Sequence, residues 1–241
     1  MPLKRFLAKR KSIQSGMTTI FSSEEGIIIF FEVLVGLAFC LASLLIFLKF
    51  TQEVLEANVN RFDAWTATSL YSIRTPHLTT FMEFMSSLGY GFCLVLAAVL
   101  CISLLIKKHK KEAVLFALAT GFGVLLNIIL KDTIQRPRPE VSQLVTAAMS
   151  SFPSGHAMNA FIFYSLIAYY SLHFFKSKKI TAILTVLASC IILLIGVSRV
   201  YLGVHFTTDV LAGYIAGFWW LITVLLIDRT LIFYKLFKKS E

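Results

Sequence analysis

Residues 151–175 read SFPSGHAMNAFIFYSLIAYYSLHFF. Pro153, Ser154 and Gly155 make a turn, and Ser154 is a candidate N-cap for the segment that follows. After His156 the chain is apolar from 157 to 175, close to the about 20 residues that a bilayer-crossing helix needs. Three similar runs precede it, at 26–48, 86–106 and 113–130, and two follow, at 180–200 and 208–227. The expected fold is all-α, a six-helix transmembrane bundle. A soluble alternative is excluded by composition. The chain is 57% hydrophobic with mean hydropathy +0.78, against about 45–50% apolar for soluble domains, so too little polar sequence remains to cover such a core.

The formal net charge of +10 is clustered. Lys4, Arg5, Lys9, Arg10 and Lys11 precede the first run. Lys107, Lys108, Lys110 and Lys111 separate the second and third. Lys176, Lys178 and Lys179 separate the fourth and fifth, and Arg229, Lys235, Lys238 and Lys239 follow the sixth. These clusters fall on alternate sides of successive spans and therefore share one membrane face, which the positive-inside rule makes cytoplasmic. Both termini are then expected in the cytoplasm, and a nucleic-acid partner is not. The expected organisation is a basic cytoplasmic tail over 1–25, a membrane domain over 26–228 and a basic cytoplasmic tail over 229–241. The first run, of 23 residues, exceeds the about 7–15 of a signal-peptide core and is expected to be retained. Cys40, Cys93, Cys101 and Cys190 lie inside apolar runs as packing residues. Glu32 lies inside the first run, where a carboxyl is costly. Either a structural hydrogen bond or a functional role would explain it. Residues 49–85 mix Phe62, Trp65, Leu70, Tyr71 and Phe81 with charges. That suits short interfacial helices, either covering a lipid groove or connecting spans.

Three polar clusters fall at the outer ends of spans three to six. Lys131–Pro139, KDTIQRPRP, puts Lys131, Arg136 and Arg138 on chain stiffened by Pro137 and Pro139. These cations gain nothing from the positive-inside rule. They are either a flank that stops translocation or an anion clamp, since guanidinium forks match phosphate oxygens. In the opening stretch, the N–H groups of the helix start form an anion site beside His156, which suits a general acid. Ser198–Asp209, SRVYLGVHFTTD, places Arg199 at the end of span five, Gly203 at a turn, and His205 four residues before Asp209. On a helix that spacing puts both on one face, so Asp209 can hold one imidazole nitrogen and leave the other free to attack. No metal-ligand spacing is present, so no metal and no cofactor is expected. The clusters read as phosphoryl-transfer chemistry.

The sequence resembles the type 2 phosphatidic acid phosphatase superfamily, the integral-membrane lipid phosphate phosphatases. The resemblance rests on a three-part signature, K-x6-RP, PSGH and SR-x5-H-x3-D. Here it reads Lys131 with Arg138-Pro139, then Pro153-Ser154-Gly155-His156, then Ser198-Arg199, His205 and Asp209. The resemblance implies that His205 is the nucleophile and forms a phosphohistidine. It implies that Asp209 orients His205, and that His156 protonates the leaving oxygen and then activates water. Lys131, Arg138 and Arg199 would bind phosphate, with Ser154 and the Gly155 N–H assisting. Arg136 falls outside the signature, as either a headgroup contact or a solvated charge. Haloperoxidases sharing the signature are soluble, and glucose-6-phosphatase-like enzymes have more spans, so a lipid substrate in the bilayer is expected. An extracytoplasmic site in a cell membrane points first to undecaprenyl diphosphate. Phosphatidylglycerol phosphate, phosphatidic acid, diacylglycerol diphosphate and a lipid A phosphate remain as alternatives. A phospholipid transporter is the reading from a different class, but it would have no need of the His205–Asp209 pair.

Overall fold

The computed structural model describes residues 21, 23–140 and 142–239. The basic residues expected to form the N-terminal tail, Lys4 to Lys11, lie outside the described residues. Regular structure among the described residues is entirely helical. The helices are α1 (Glu24–Leu55), α2 (Asn60–Ser72), α3 (Pro76–Ser87), α4 (Gly91–Ile106), α5 (Lys110–Ile134), α6 (Gly155–Phe175), α7 (Lys178–Tyr201) and α8 (Thr207–Lys239).

The helices outrun the apolar runs that signal them. Backbone hydrogen bonding continues past the apolar stretch, so hydropathy marks the lipid-matched part of a helix and not its ends. Residues from 229 are thus helical as far as Lys239. The expected second span, 86–106, begins inside α3, ahead of the break between Ser87 and Gly91. Residues 49–85 hold the end of α1, then α2 and nearly all of α3, in place of an open loop.

Among the described residues, five stretches are long and apolar enough to cross a membrane: Glu24–Leu55, Pro76–Ile106, Lys110–Ile134, Lys178–Tyr201 and Thr207–Lys238. The expected fourth span, within α6, is not among them. Its hydropathy is diluted by Asn159, Tyr164, Ser165, Tyr169, Tyr170, Ser171 and His173. It is also the most enclosed helix, with Ala157 to Ala160, Ile162, Phe163 and Leu166 buried by protein. A helix wrapped by other helices has no need of an apolar exterior. The lipid-matched exteriors lie elsewhere, in exposed Leu34, Leu41 and Leu45 of α1, Val95, Val99 and Ile102 of α4, and Ile183, Val186 and Leu193 of α7.

The described chain forms two compact units, residues 1–42 with 222–241 and residues 43–221. In the first, Arg229 Nη1 stands 3.5 Å from Glu32 Oε2, giving that carboxyl a cationic partner. Gly36 faces Leu226, whose Cδ1 lies 3.2 Å from where a Cβ would be.

In the second unit, α6 is the axis. Apolar burial supplies little association energy in a bilayer, so close backbone approach and polar contacts hold helices together. Gly213 and Gly217, one turn apart on α8, meet α6. A Cβ at Gly213 would lie 2.6 Å from the Ser154 carbonyl oxygen, and one at Gly217 would lie 3.1 Å from that of Met158. Trp220 Nε1 donates to the Ala119 carbonyl of α5 at 2.8 Å. On the site side, Met82 of α3 packs with Tyr201, Leu202 and Val204. Arg74 Nε donates to the Tyr201 carbonyl at 3.0 Å, and its guanidinium lies 3.8 Å from the Tyr71 ring centre. Gly203 turns the chain there at φ +77°, a backbone region that side-chained residues rarely adopt. These contacts fix the end of α7 and the start of α8, where the third signature segment lies.

Candidate active site

The site is assembled at helix ends. α5 ends because Gln135 adopts a left-handed conformation at φ 51° and prolines follow at 137 and 139. In its last turn Lys131 is buried, with Nζ donating to the carbonyls of Ser150 at 2.5 Å and Ser151 at 3.2 Å. One turn earlier on the same face, Asn127 Nδ2 donates to the Pro153 carbonyl at 3.3 Å. A Cβ at position 155 would stand 2.7 Å from Asn127 Oδ1, so only glycine lets the turn approach α5 this closely. Ser154 caps α6, its hydroxyl accepting from the Ala157 N–H at 3.4 Å. The Ser154 N–H donates to the Asp209 carbonyl at 2.9 Å, tying the turn to the start of α8.

Six of the eight residues singled out from the signature line one cavity of about 480 Å³: Lys131, Arg138, Gly155, His156, Arg199 and His205. The other two stand behind it. Ser154 is spent on its cap, and Asp209 is fully buried beneath His205. Arg138 Nη1 donates to the Val204 carbonyl at 2.6 Å, and its Nε donates to that of Met149 at 3.0 Å. Arg199, at the end of α7, donates from Nη1 to Ser86 Oγ at 2.5 Å. Its buried Nε has no hydrogen-bond partner among the described residues. A buried guanidinium with a spare donor beside a cavity is suited to an oxyanion. The ring of Tyr90 stacks on His156 with centroids 5.3 Å apart.

His205 is 2% exposed, with Nδ1 3.4 Å from Asp209 Oδ2 and Nε2 3.3 Å from Arg138 Nη1. A guanidinium can only donate. Nε2 therefore presents its lone pair, and the ring proton sits on Nδ1, towards Asp209. Burial, reinforced by Arg199 and Arg138, pushes His205 down to about 4 against the opposing pull of Asp209. The ring thus stays neutral until the pH falls to that value.

Sequence reasoning missed several neighbours. Asn127 had a usable signal, lying four residues before Lys131 and so on the same helix face. Ser86, Tyr90 and Glu83, all lining the cavity, come from α3 and its end and carry no local signal. Arg136 is misjudged as well. It is neither a headgroup contact nor a solvated charge: only a tenth of its side chain is exposed, and it is not among the residues lining the cavity. Its Nη1 donates to Asp209 Oδ1 at 2.6 Å and Thr208 Oγ1 at 2.8 Å, and its Nη2 donates to Asp63 Oδ2 at 2.9 Å.

Known proteins share this arrangement of helices. The sequence model of the PAP2 superfamily matches residues 112–233. Phosphatidylglycerophosphatase B of Bacillus subtilis is 36% identical over 178 residues, covering 73% of this chain and 88% of that protein. Lipid A 1-phosphatase of Rhizobium etli is 32% identical over 135 residues, 52% of this chain and 53% of that protein. Among solved structures, a transmembrane PAP2-type phosphatidylglycerolphosphate phosphatase from Bacillus subtilis superposes with TM-score 0.74 at 34% identity, covering 79% of this chain and 96% of that one. Aquifex aeolicus LpxE gives 0.54 at 30% identity, covering 66% and 92%. Helices with apolar exteriors, together with these relatives, define a multi-pass membrane lipid phosphatase. The chain belongs to the PAP2 superfamily.

Proposed function

We propose that the protein hydrolyses a lipid phosphate monoester, phosphatidylglycerol phosphate foremost, through a phosphohistidine at an extracytoplasmic site. The observation that carries this reading is the convergence of His205, His156 and three cations, two of them buried, on one cavity, with Asp209 behind His205. In the first step, His205 Nε2 attacks phosphorus as the ester P–O bond breaks, and His156 gives its proton to the departing lipid oxygen. In the second, neutral His156 takes a proton from water, the water oxygen attacks phosphorus, and the N–P bond breaks to release phosphate. Lys131, Arg138 and Arg199 hold the phosphoryl oxygens. α6 serves as the sixth span, and the clusters at 107–111 and 176–179 put the opposite, site-bearing face outside the cytoplasm.

The preference for a glycerol-bearing monoester has two supports. Two of the relatives matched over most of their length are named for phosphatidylglycerol phosphate, at 36% and 34% identity, while Aquifex aeolicus LpxE, matched over 92% of its length, is less identical at 30%. The cavity wall also carries Glu83 with Ser86 and Ser87, which can accept from a hydroxyl of a glycerol headgroup. Undecaprenyl diphosphate, the substrate to which the sequence pointed first, is the competing case. The test is inorganic phosphate release in detergent with EDTA present, from phosphatidylglycerol phosphate, undecaprenyl diphosphate, phosphatidic acid and lipid A. Phosphatidylglycerol phosphate should show the highest kcat/KM. A higher value for undecaprenyl diphosphate would reverse the assignment.

Two further outcomes follow from the same chemistry. His156→Ala should lower kcat by about 10²–10⁴-fold. In kcat/KM, which reports only the steps up to phosphohistidine formation, much of the loss should vanish with p-nitrophenyl phosphate, whose leaving group needs no proton. An equal loss on both substrates would remove His156 from the acid role. The pH profile of kcat/KM should be bell-shaped, with its acid limb near pH 4. Above that value His205 is a neutral nucleophile, and activity is lost as pH falls through it. An acid limb near 6.5, the ordinary histidine value, would show that another group controls it.

A further inference from the structure

Arg136 and Asp63 stand outside the signature, yet Arg136 bonds its carboxylate and Asp63 bonds Arg136. Asp209, with no exposure, receives Arg136 Nη1 on Oδ1 at 2.6 Å and the Phe206 N–H on Oδ2 at 2.9 Å. Asp63, 2% exposed, closes the other side of Arg136 at 2.9 Å. Asp63 is held in turn by the Thr208 N–H at 2.9 Å and the Thr208 hydroxyl at 2.6 Å. The guanidinium carbon lies 4.2 Å from the centre of the Phe206 ring. A planar cation fixed by two carboxylates and one ring face has little freedom to turn.

We infer that Asp63 and Arg136 are positioning residues that act through Asp209 on His205. Geometry and charge both support this. Arg136 occupies Asp209 Oδ1 and so aims Oδ2 at the imidazole. Alone, it would also cancel the carboxylate's charge as His205 sees it. Asp63 offsets that: the Asp63–Arg136–Asp209 cluster carries a net charge of −1, the complement of a His205 ring that becomes positive when phosphorylated. Arg138 from the 135–154 segment, Arg199 from α7 and His156 from α6 also act on His205 and none of them is negative, while Lys131 of α5 and Glu83 of α3 share its cavity. The balance beside the ring is therefore set by this cluster, and α2 serves the site by delivering Asp63.

The catalytic meaning of the network rests on the reading of His205 as nucleophile, but its electrostatic action can be read directly. The experiment uses the full chain in detergent, labelled with ring-¹³C histidine. The His205 resonance is assigned by its loss in His205→Ala. Arg136→Met takes the cluster from −1 to −2, so the His205 ring should titrate about one pH unit higher than in the wild type. Adding Asp63→Asn restores −1 and should bring the titration back. Asp63→Asn alone, the variant least disturbing to the fold, should lower it. In phosphate release, Arg136→Met should cost about tenfold in kcat with little change in KM, and the double variant should recover most of that loss. An unmoved ring titration in Arg136→Met, an unmoved or raised one in Asp63→Asn alone, or losses that merely add in the double variant would overturn the inference. Absence of wild-type phosphate release would count against the proposed function alone, because the ring titrations still decide the network.

Discussion

His205→Ala is expected to lower phosphate release by about 10⁴-fold or more while the protein stays folded, as removal of a nucleophile does in enzymes that act through a covalent intermediate. The reasoning starts from position. The ring is buried, its Nε2 lines the cavity, and the cations of Lys131, Arg138 and Arg199 surround the space before it. Alanine removes the attacking atom but leaves that cationic wall in place, so phosphate should still bind. The decisive measurement pairs turnover with binding of inorganic phosphate as a competitive inhibitor. Lost turnover with retained binding is the expected outcome. Turnover within tenfold of the wild type would mean that water attacks the lipid phosphate directly, and that His205 is a binding group. Quenching the wild-type reaction in base and finding acid-labile phosphate on the protein, absent from His205→Ala, would supply independent support.

Asp209→Asn should cost about 10³–10⁴-fold in kcat, the scale seen when the carboxylate orienting a catalytic histidine is made an amide. Two donors bond this side chain, Arg136 Nη1 and the Phe206 N–H, and the His205 Nδ1 stands 3.4 Å from its Oδ2. A carboxylate can accept from all of them. An amide offers one oxygen and turns its NH₂ towards the remaining donors, so the ring proton is driven from Nδ1 to Nε2. The attacking lone pair is then lost. KM should change by only a few-fold, since Asp209 does not reach the cavity. An effect confined to KM would contradict an orienting role. Loss of folding would be separated from loss of chemistry by retained phosphate binding, as for His205.

How much of this was legible in the sequence follows from the range of each interaction. The helical class and the runs that mark it were legible, because hydropathy over about 20 residues is a local property. So were the chemical members of the site. Ser154 as a cap and Gly203 at a turn are relations within a few positions, which helix and turn geometry convert directly into space; His205 lies two residues ahead of α8, so it reaches within 3.4 Å of Asp209 from the preceding turn and not by helical spacing. The exact extent of the helices was less visible. α6 shows why: polarity tuned to an enclosed, site-bearing position lowers its hydropathy, so composition alone ranks it below the other spans.

Tertiary structure alone decided what stands behind and around those residues. Arg136 lies 73 positions from each of the carboxylates it joins, and no periodicity links them. In sequence, Arg136 looked like one more cation beside Arg138. One residue separates them, yet the bend at Gln135 and Pro137 sends one guanidinium to the cavity wall and the other into the protein. Asp63 was one acid in an amphipathic stretch until α2 was packed against the start of α8. The wall formed by Glu83, Ser86 and Tyr90 likewise exists only once the end of α3 meets α6 and α7. The sequence by itself pointed to six side chains and backbone groups that the fold gathers at one cavity, because their chemistry and their spacing within each short segment mark them out. The charge balance behind Asp209 and the shape before His205 depend on segments brought together by helix packing, and only the folded chain decides those.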